Sequence, residues 1–212
     1  VPDRLTKDLI SGLILAGGQS RRMGGGDKAL LDLGGKPVLA HVIATIRPQV
    51  GTLILNANGD PERFAGFGLP VVPDTITGFA GPLAGLLAGL RRTAANLPGT
   101  PYVASVSSDA PFLPSDLVAR LLDAVSGRPR AVAVAASDGK MHPVIGLWPV
   151  ALADDLAAAL AAGLRKAHTF AEQHGAIPVS FPFAEMHGRK IDPFFNANTP
   201  EDLDTARALL GT

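Results

Sequence analysis

The chain has 212 residues and no cysteine. Neither a disulfide framework nor a thiolate metal site can therefore be part of its design. It also lacks an excess of charge: nineteen basic residues balance nineteen acidic ones. That balance argues against wholesale binding to nucleic acid or to a membrane surface, and leaves a local basic site open. No apolar run approaches the roughly 18 residues of a membrane span. The first residues, VPDRLTKDLISG, are charged and lack the apolar centre of a signal peptide. A soluble, cytoplasmic protein is expected. Internal repeats, linkers and low-complexity tracts are missing as well. So are the two best-known phosphate-binding signatures. No G-x-G-x-x-G follows an apolar strand, and the one promising lysine, Lys28, is followed by Ala29, where a P-loop requires a hydroxyl.

What the chain does have is apolar material, 47% of its residues. That suffices for the core of one α/β domain spanning 1–212. The chain is organised around residues 13–28, LILAGGQSRRMGGGDK. Three apolar residues run straight into Ala16, Gly17 and Gly18, which reads as a buried strand feeding a tight loop. Without a Cβ, Gly17 and Gly18 let a ligand approach the backbone, and successive N–H groups in such a loop form an anion-binding concavity. Arg21, Arg22 and Lys28 add positive charge. The arrangement suits a polyphosphate; the plainer reading is a glycine-rich surface turn with solvated charges.

Strand and helix patterns alternate along the rest of the chain. A first strand is expected at 11–16 and a helix from Pro37 to Gln49, with Val38, Val42, Ile43 and Ile46 at helical spacing. Strands follow at 52–55 and 70–72. A helix opens at Pro82 and runs to about Ala95, and a strand spans 102–108. Pro114 is expected to start a helix to Val125. Strands at 131–136 and 143–147 precede an alanine-rich helix between Pro149 and Gly163, a helix from Leu164 to His174, and a last strand at 177–181. Thr199 as N-cap, Pro200 at the first position and two acids in the first turn mark the final helix. Such alternation predicts a three-layer α/β/α fold with a mostly parallel sheet covered on both faces. Ligands of such sheets bind beyond the carboxyl ends of the strands. That rule gathers the Ala16 loop, Asn56, Asp74 and Asp109, each of which directly follows a predicted strand.

The stretch from Leu15 to Lys28 resembles, without a gap, the signature L-A-G-G-x-S-x-R-M-G-x-x-D-K of the Rossmann-like nucleotidyltransferases. Among these it is most similar to the molybdenum cofactor guanylyltransferases, and the resemblance extends from residue 12 to about 204. It implies GMP transfer from GTP to molybdenum-bound molybdopterin, with Mg²⁺ as the metal. In this likeness Leu15, Ala16, Gly17 and Gly18 wrap the triphosphate. Lys28 neutralises charge at the α-phosphate, and Arg22 holds phosphates. Asp109, in Ser108-Asp109-Ala110-Pro111, resembles the family's magnesium ligand; hard oxygen is what Mg²⁺ prefers, although a turn aspartate before proline reads equally well from spacing alone. Asp74 and Asn56 match nucleotide-contacting positions, with an Asx turn as the alternative for each. Gly81, in Gly81-Pro82-Leu83-Ala84-Gly85, matches the guanine-side loop, against a simple helix start.

For the second substrate the resemblance points to His142, Arg165, Lys166, Asn196 and Asn198. Here the alternatives are a lone surface histidine, a solvated basic pair and a helix cap. The N-terminal half is thus expected to bind nucleotide and the C-terminal half molybdopterin. A labile product implies protein partners as well, such as molybdenum-insertion proteins or molybdoenzyme chaperones. Three competing functions stay open. One is a cytidylyltransferase for molybdopterin or a sugar-phosphate nucleotidyltransferase of the same fold. Another is a non-catalytic carrier of nucleotide or cofactor. The third is a dehydrogenase with a degenerate dinucleotide loop.

Overall fold

The computed structural model describes residues 6–16, 27–76 and 81–211. Chain order runs β1 (Ile10–Leu15), β2 (Asp32–Leu33), β3 (Lys36–Pro37), α1 (Val38–Ile46), β4 (Thr52–Asn56), β5 (Val71–Val72), α2 (Pro82–Asn96), β6 (Tyr102–Ser107) and α3 (Leu117–Val125). It continues with β7 (Ala133–Ser137), β8 (Lys140–Pro149), α4 (Ala153–Ala161), α5 (Ala167–Gln173), β9 (Ile177–Ser180), β10 (Ala184–Met186), β11 (Arg189–Ile191) and α6 (Pro200–Leu210). Seven strands form one sheet in the order β5-β4-β1-β6-β8-β7-β9. All pairings are parallel except those of β8 with β6 and with β7. The expected mostly parallel sheet is present, with β8 as its single reversed strand among the described residues.

Alternation along the strands explains the two covering layers. Ile10 and Ile14 of β1 face one apolar cluster with Leu39, Val42 and Leu121; Leu13 and Leu15 face a second with Leu86, Leu90 and Phe170. Successive side chains of a strand point to opposite faces, so a strand covered on both sides reads as a nearly continuous apolar run, broken in β1 only by the buried Ser11 and Gly12. All six residues of β1 are buried accordingly. Helix α2 lies very close to this strand. A Cβ on Gly89 would stand 2.4 Å from a Leu13 methyl, and one on Gly85 would stand 2.1 Å from Asn56 Oδ1. Two glycines one helical turn apart thus set the helix–sheet spacing on the side of the nucleotide-like motifs.

Several sequence expectations shift. Helix α3 begins at Leu117, not Pro114. Residues 114–116 form a turn, and the buried Gln49 side chain receives the Val118 N–H at 2.9 Å while donating to Pro114 O at 2.9 Å. A distant amide therefore caps this helix, which no local signal in the sequence reveals. The helix expected from Leu164 starts at Ala167, leaving Arg165 and Lys166 in the preceding connection. The strand at 177–181 is not the last one: β10 and β11 follow as a small antiparallel hairpin. Gly34 and Gly35, both at positive φ, turn the β2–β3 hairpin. The final helix starts as the sequence says. Thr199 Oγ1 accepts from Asp202 N, and the Asp202 carboxylate accepts from Thr199 N, a complete capping box. Among the described residues no helix is long and apolar enough to cross a membrane.

Candidate active site at the carboxyl edge of the sheet

The chain leaves β1 in one direction to reach β4 and β5, and lies on the other side for β6. The switch in strand order falls beside β1, which is where open α/β sheets place their ligands. Ala16, at the end of β1, donates its N–H to Asn56 O at 2.8 Å, so the start of the glycine-rich loop is fixed against the end of β4. Gly17, Gly18, Arg21 and Arg22 lie outside the described residues.

From Asn56 a hydrogen-bonded chain leads outward. Asn56 Nδ2 donates to Asp74 Oδ1 at 2.9 Å and to Val72 O at 3.0 Å. Asn58 grips the same aspartate from the other side, with Nδ2 on Asp74 Oδ2 at 2.8 Å and Oδ1 receiving Asp74 N at 2.9 Å. Two residues matched separately in the sequence, Asn56 and Asp74, are thus one unit. The buried Asn56 explains Gly85 as well, since any side chain at that helix position would collide with its amide. Asn58 as a clamp was not legible, because the sequence offers no sign of which side chain two asparagines in a turn will hold.

Across the switch point, Asp109 follows β6. Ser107 Oγ donates to Asp109 Oδ1. Burial raises the carboxyl's proton affinity, while the Ser107 hydroxyl and the charge of Lys28 act in the opposite sense. Lys28 stands at the start of a 3₁₀ turn, Lys28–Leu30, and its Nζ donates to Asn198 Oδ1 at 3.3 Å. Ala197 N donates to Asp109 O at 2.9 Å. The segment before α6 therefore closes over Lys28 and Asp109 together. Asn198 is exposed and touches the lysine; Asn196 is exposed two residues earlier.

The other end of this segment is fastened to β7 and β8. Ser137 Oγ donates to Asp192 Oδ2 at 2.9 Å and lies 2.7 Å from His142 Nε2. The serine has one proton and gives it to a carboxylate, which can only accept. The contact with His142 is therefore Nε2–H donating to Ser137 Oγ. Burial pushes the imidazole pKa down, with nearby Asp192 opposing the shift and Lys140 adding to it. Phe194 stacks obliquely on His142, ring centres 4.9 Å apart. The reading of His142 as a lone surface histidine is thereby corrected: it is half-buried in a three-residue cluster whose third member, Asp192, carries no sequence signature.

Arg165 lies in the connection between α4 and α5. Its guanidinium donates to Leu160 O, in the last turn of α4, at 3.0 Å and to Leu164 O, in the connection, at 2.7 Å. Its own carbonyl lies against Gly81, 4.0 Å from where a Cβ would stand. Lys166 is exposed at the N-terminus of α5. The backbone at Arg165 thus stands beside Gly81. Residues 77–80 of that loop lie outside the described residues.

A family model, the MobA-like NTP transferase domain, matches residues 12–177. The chain belongs to this family. A MobA-like relative from Bradyrhizobium sp. (strain ORS 278), named molybdenum cofactor guanylyltransferase, is 51% identical over 96% of this chain and 94% of its own length. One of the same name from Cereibacter sphaeroides is 50% identical over 94% and 96%. Among solved structures, the molybdopterin-guanine dinucleotide biosynthesis protein A of Archaeoglobus fulgidus superposes with a TM-score of 0.71 at 23% identity, covering 95% of this chain and 98% of that one. A CMP:2-keto-3-deoxy-manno-octonic acid synthetase complexed with CTP gives the same TM-score at 15% identity and the same coverage. The MobA-like fold thus accommodates different chemistries, so residues must decide among them.

Proposed function

We propose that this chain transfers GMP from GTP to the terminal phosphate of molybdenum-bound molybdopterin, yielding the guanine dinucleotide form and pyrophosphate. The observation that carries this reading is the 51% identity, over nearly the whole of both chains, to relatives named for that activity. The site geometry agrees with it: a lysine, a partly buried carboxylate and an amide–carboxylate pair share the carboxyl edge at the switch point.

In this mechanism an oxygen of the pterin phosphate attacks the α-phosphorus of GTP. The bond from that phosphorus to the oxygen bridging it to the β-phosphate breaks, and its electron pair leaves on pyrophosphate. Phosphoryl transfer of this kind needs positioning and charge neutralisation more than covalent help. The acceptor phosphate carries an ionised oxygen near neutral pH, so no general base is assigned. Lys28, held in place by Asn198, bears on the α-phosphate. Asn56 and Asp74 hold the nucleoside, with Leu15, Ala16 and the Gly81 loop shaping the pocket, and Arg22 grips the phosphates.

Mg²⁺ fits the donor set, because Asp109 offers a hard oxygen donor whose buried charge gains from a nearby cation. Asp109 and the substrate phosphates would hold it, and it would supply charge neutralisation at the α-phosphate and the leaving group. The whole chain acts as one nucleotidyltransferase unit, with the β7–β8 cluster and the residues preceding α6 serving the acceptor. The decisive experiment is pyrophosphate release with Mg²⁺ and molybdenum-loaded molybdopterin, with GTP, CTP or ATP supplied in parallel. Release with GTP alone is expected. Release with CTP instead would retain the Lys28 and Asp109 chemistry and overturn the choice of base.

A further inference from the structure

Between the two ends of the nucleotide site lies an arginine that nothing in the sequence singles out. Arg63 sits in a 3₁₀ segment, Pro61–Phe67. The next residue, Phe64, is buried at 1% exposure in the core, so the segment is anchored. The guanidinium lies over the Phe64 ring at 4.9 Å. One arm, Nη1, meets Asp27 Oδ2 at 3.0 Å; the other, Nη2, donates to Asn58 O. Gly59, at φ +85°, carries the chain past the guanidinium, which fills the space its Cβ would face at 3.7 Å.

Both partners border residues already placed in the site. Asp27 directly precedes Lys28. Asn58 is the clamp on Asp74, with Nδ2 donating to carboxylate Oδ2 and Oδ1 accepting from the backbone N–H. A planar fork can hold two acceptors in one fixed relation, which a single ammonium cannot. We infer that Arg63 is a positioning residue that couples the phosphate grip at Lys28 to the nucleoside grip at Asp74. One continuous line of contacts then runs from Asn198 through Lys28, Asp27, Arg63, Asn58 and Asp74 to Asn56. Arg63 touches no reacting atom; it acts through its neighbours.

This inference rests on the guanylyltransferase reading for its kinetic readout, and the test separates the two. Wild-type protein, Arg63→Ala, Arg63→Lys and Asp27→Asn are compared for pyrophosphate release and, separately, for calorimetric binding of GTP with Mg²⁺. Small misplacements of a reacting group cost up to about 100-fold, so Arg63→Ala is expected to lower kcat/KM for GTP by about that factor, shared between kcat and KM. Arg63→Lys keeps the charge beside Asp27 and loses the second arm. It is expected to recover most of kcat while KM for GTP stays raised. Adding Asp27→Asn to Arg63→Ala is expected to cost little more, because both act on one contact. A merely structural arginine would lower the melting temperature and leave kcat and KM within about twofold; that result, or full additivity of the two substitutions, overturns the inference. If the wild type releases no pyrophosphate from GTP, the guanylyltransferase reading fails. The inference is then judged on calorimetry alone: unchanged GTP affinity in Arg63→Ala overturns it, and about tenfold weaker affinity sustains it.

Discussion

The two halves of the carboxyl edge are assembled in different ways. On the β5–β4–β1–β6 side, each group stands where its own strand stops: Ala16 after β1, Asn56 at the end of β4, Asp74 just beyond β5 and Asp109 just beyond β6. On the β8–β7–β9 side, the cluster is gathered from three places, with Ser137 ending β7, His142 near the start of the reversed β8, and Asp192 after the β10–β11 hairpin. Strand ends in a parallel sheet have their backbones held by the ladder itself, so the supports there are short-range ones that orient side chains, as Asn56 and Asn58 do for Asp74 and Ser107 does for Asp109. A site drawn from separate segments needs contacts to hold the segments together, and here hydrogen bonds to Asp192, Ala197 and Asn198 supply them. If the first half serves nucleotide chemistry and the second the acceptor, substitutions should divide by half in which kinetic constant they change.

The largest effect is expected at Asp109. Asp109→Asn removes the proposed Mg²⁺ ligand, and kcat should fall about a thousandfold, the equivalent of several kcal/mol of charge stabilisation. The same variant should melt higher than wild type when no substrate or metal is bound. The folded-state carboxyl pKa is raised by burial. The folded protein therefore binds more protons than the unfolded one between the ordinary carboxyl pKa of 3.8 and the raised value. Stability is lost as pH rises through that window, and the asparagine carries no such penalty. Thermal melts of both proteins from acid to neutral pH check the sign; a lower melting point for Asp109→Asn at neutral pH would refute it.

Next comes Lys28→Ala, expected to cost about 3 kcal/mol in the transition state, a loss of more than 100-fold in kcat, by analogy with removal of one preorganised donor. Unchanged turnover would remove Lys28 from the mechanism. Gly85→Ala is expected to act on the nucleotide side alone. Its methyl would meet Asn56 Oδ1 at 2.1 Å, so either the amide leaves Asp74 or α2 moves. A rise in KM for GTP is expected, with destabilisation of about 1 to 3 kcal/mol from overpacking and no change in KM for the pterin. Denaturant melts and steady-state kinetics measure the two parts.

The smallest effect is expected in the other half. His142→Gln should change KM for the acceptor and leave KM for GTP unaltered, which would sharpen the division between halves. It should also flatten a pH dependence of stability. Burial lowers the His142 pKa in the folded state. The unfolded chain therefore takes up the proton first as pH falls below 6.5, and stability is lost from there down through the folded value. Equal slopes in wild type and variant over that window would show that His142 makes no contribution there.

The same contrast explains what the sequence could tell. The strand ends of the first half were legible because an apolar run that gives way to small or acidic residues marks where a buried strand stops. Leu13–Ala16 and Val106–Asp109 carry that pattern in contiguous residues. Asp192, Asn58 and Arg63 escaped because each matters through a partner distant in the chain, and no local spacing encodes such a pairing. Gln49, which caps α3 from 69 residues away, escaped for the same reason. Arg165 was legible as a basic residue; that its guanidinium turns back onto Leu160 O and Leu164 O was not, because composition does not say which carbonyls a connection leaves within reach.

The bond between Lys28 and Asn198 joins residues 170 positions apart. A contact of such sequence separation needs both ends of the chain in place, since its asparagine comes from the segment just before α6. Asn56 and Asp74, by contrast, are 18 positions apart and meet across β4 and β5 alone. Local opening of the segment before α6 would therefore release Lys28 from Asn198 while leaving the Asn56–Asp74 pair intact. On the proposed function, such an opening would impair transfer before it weakened the hold on the nucleoside.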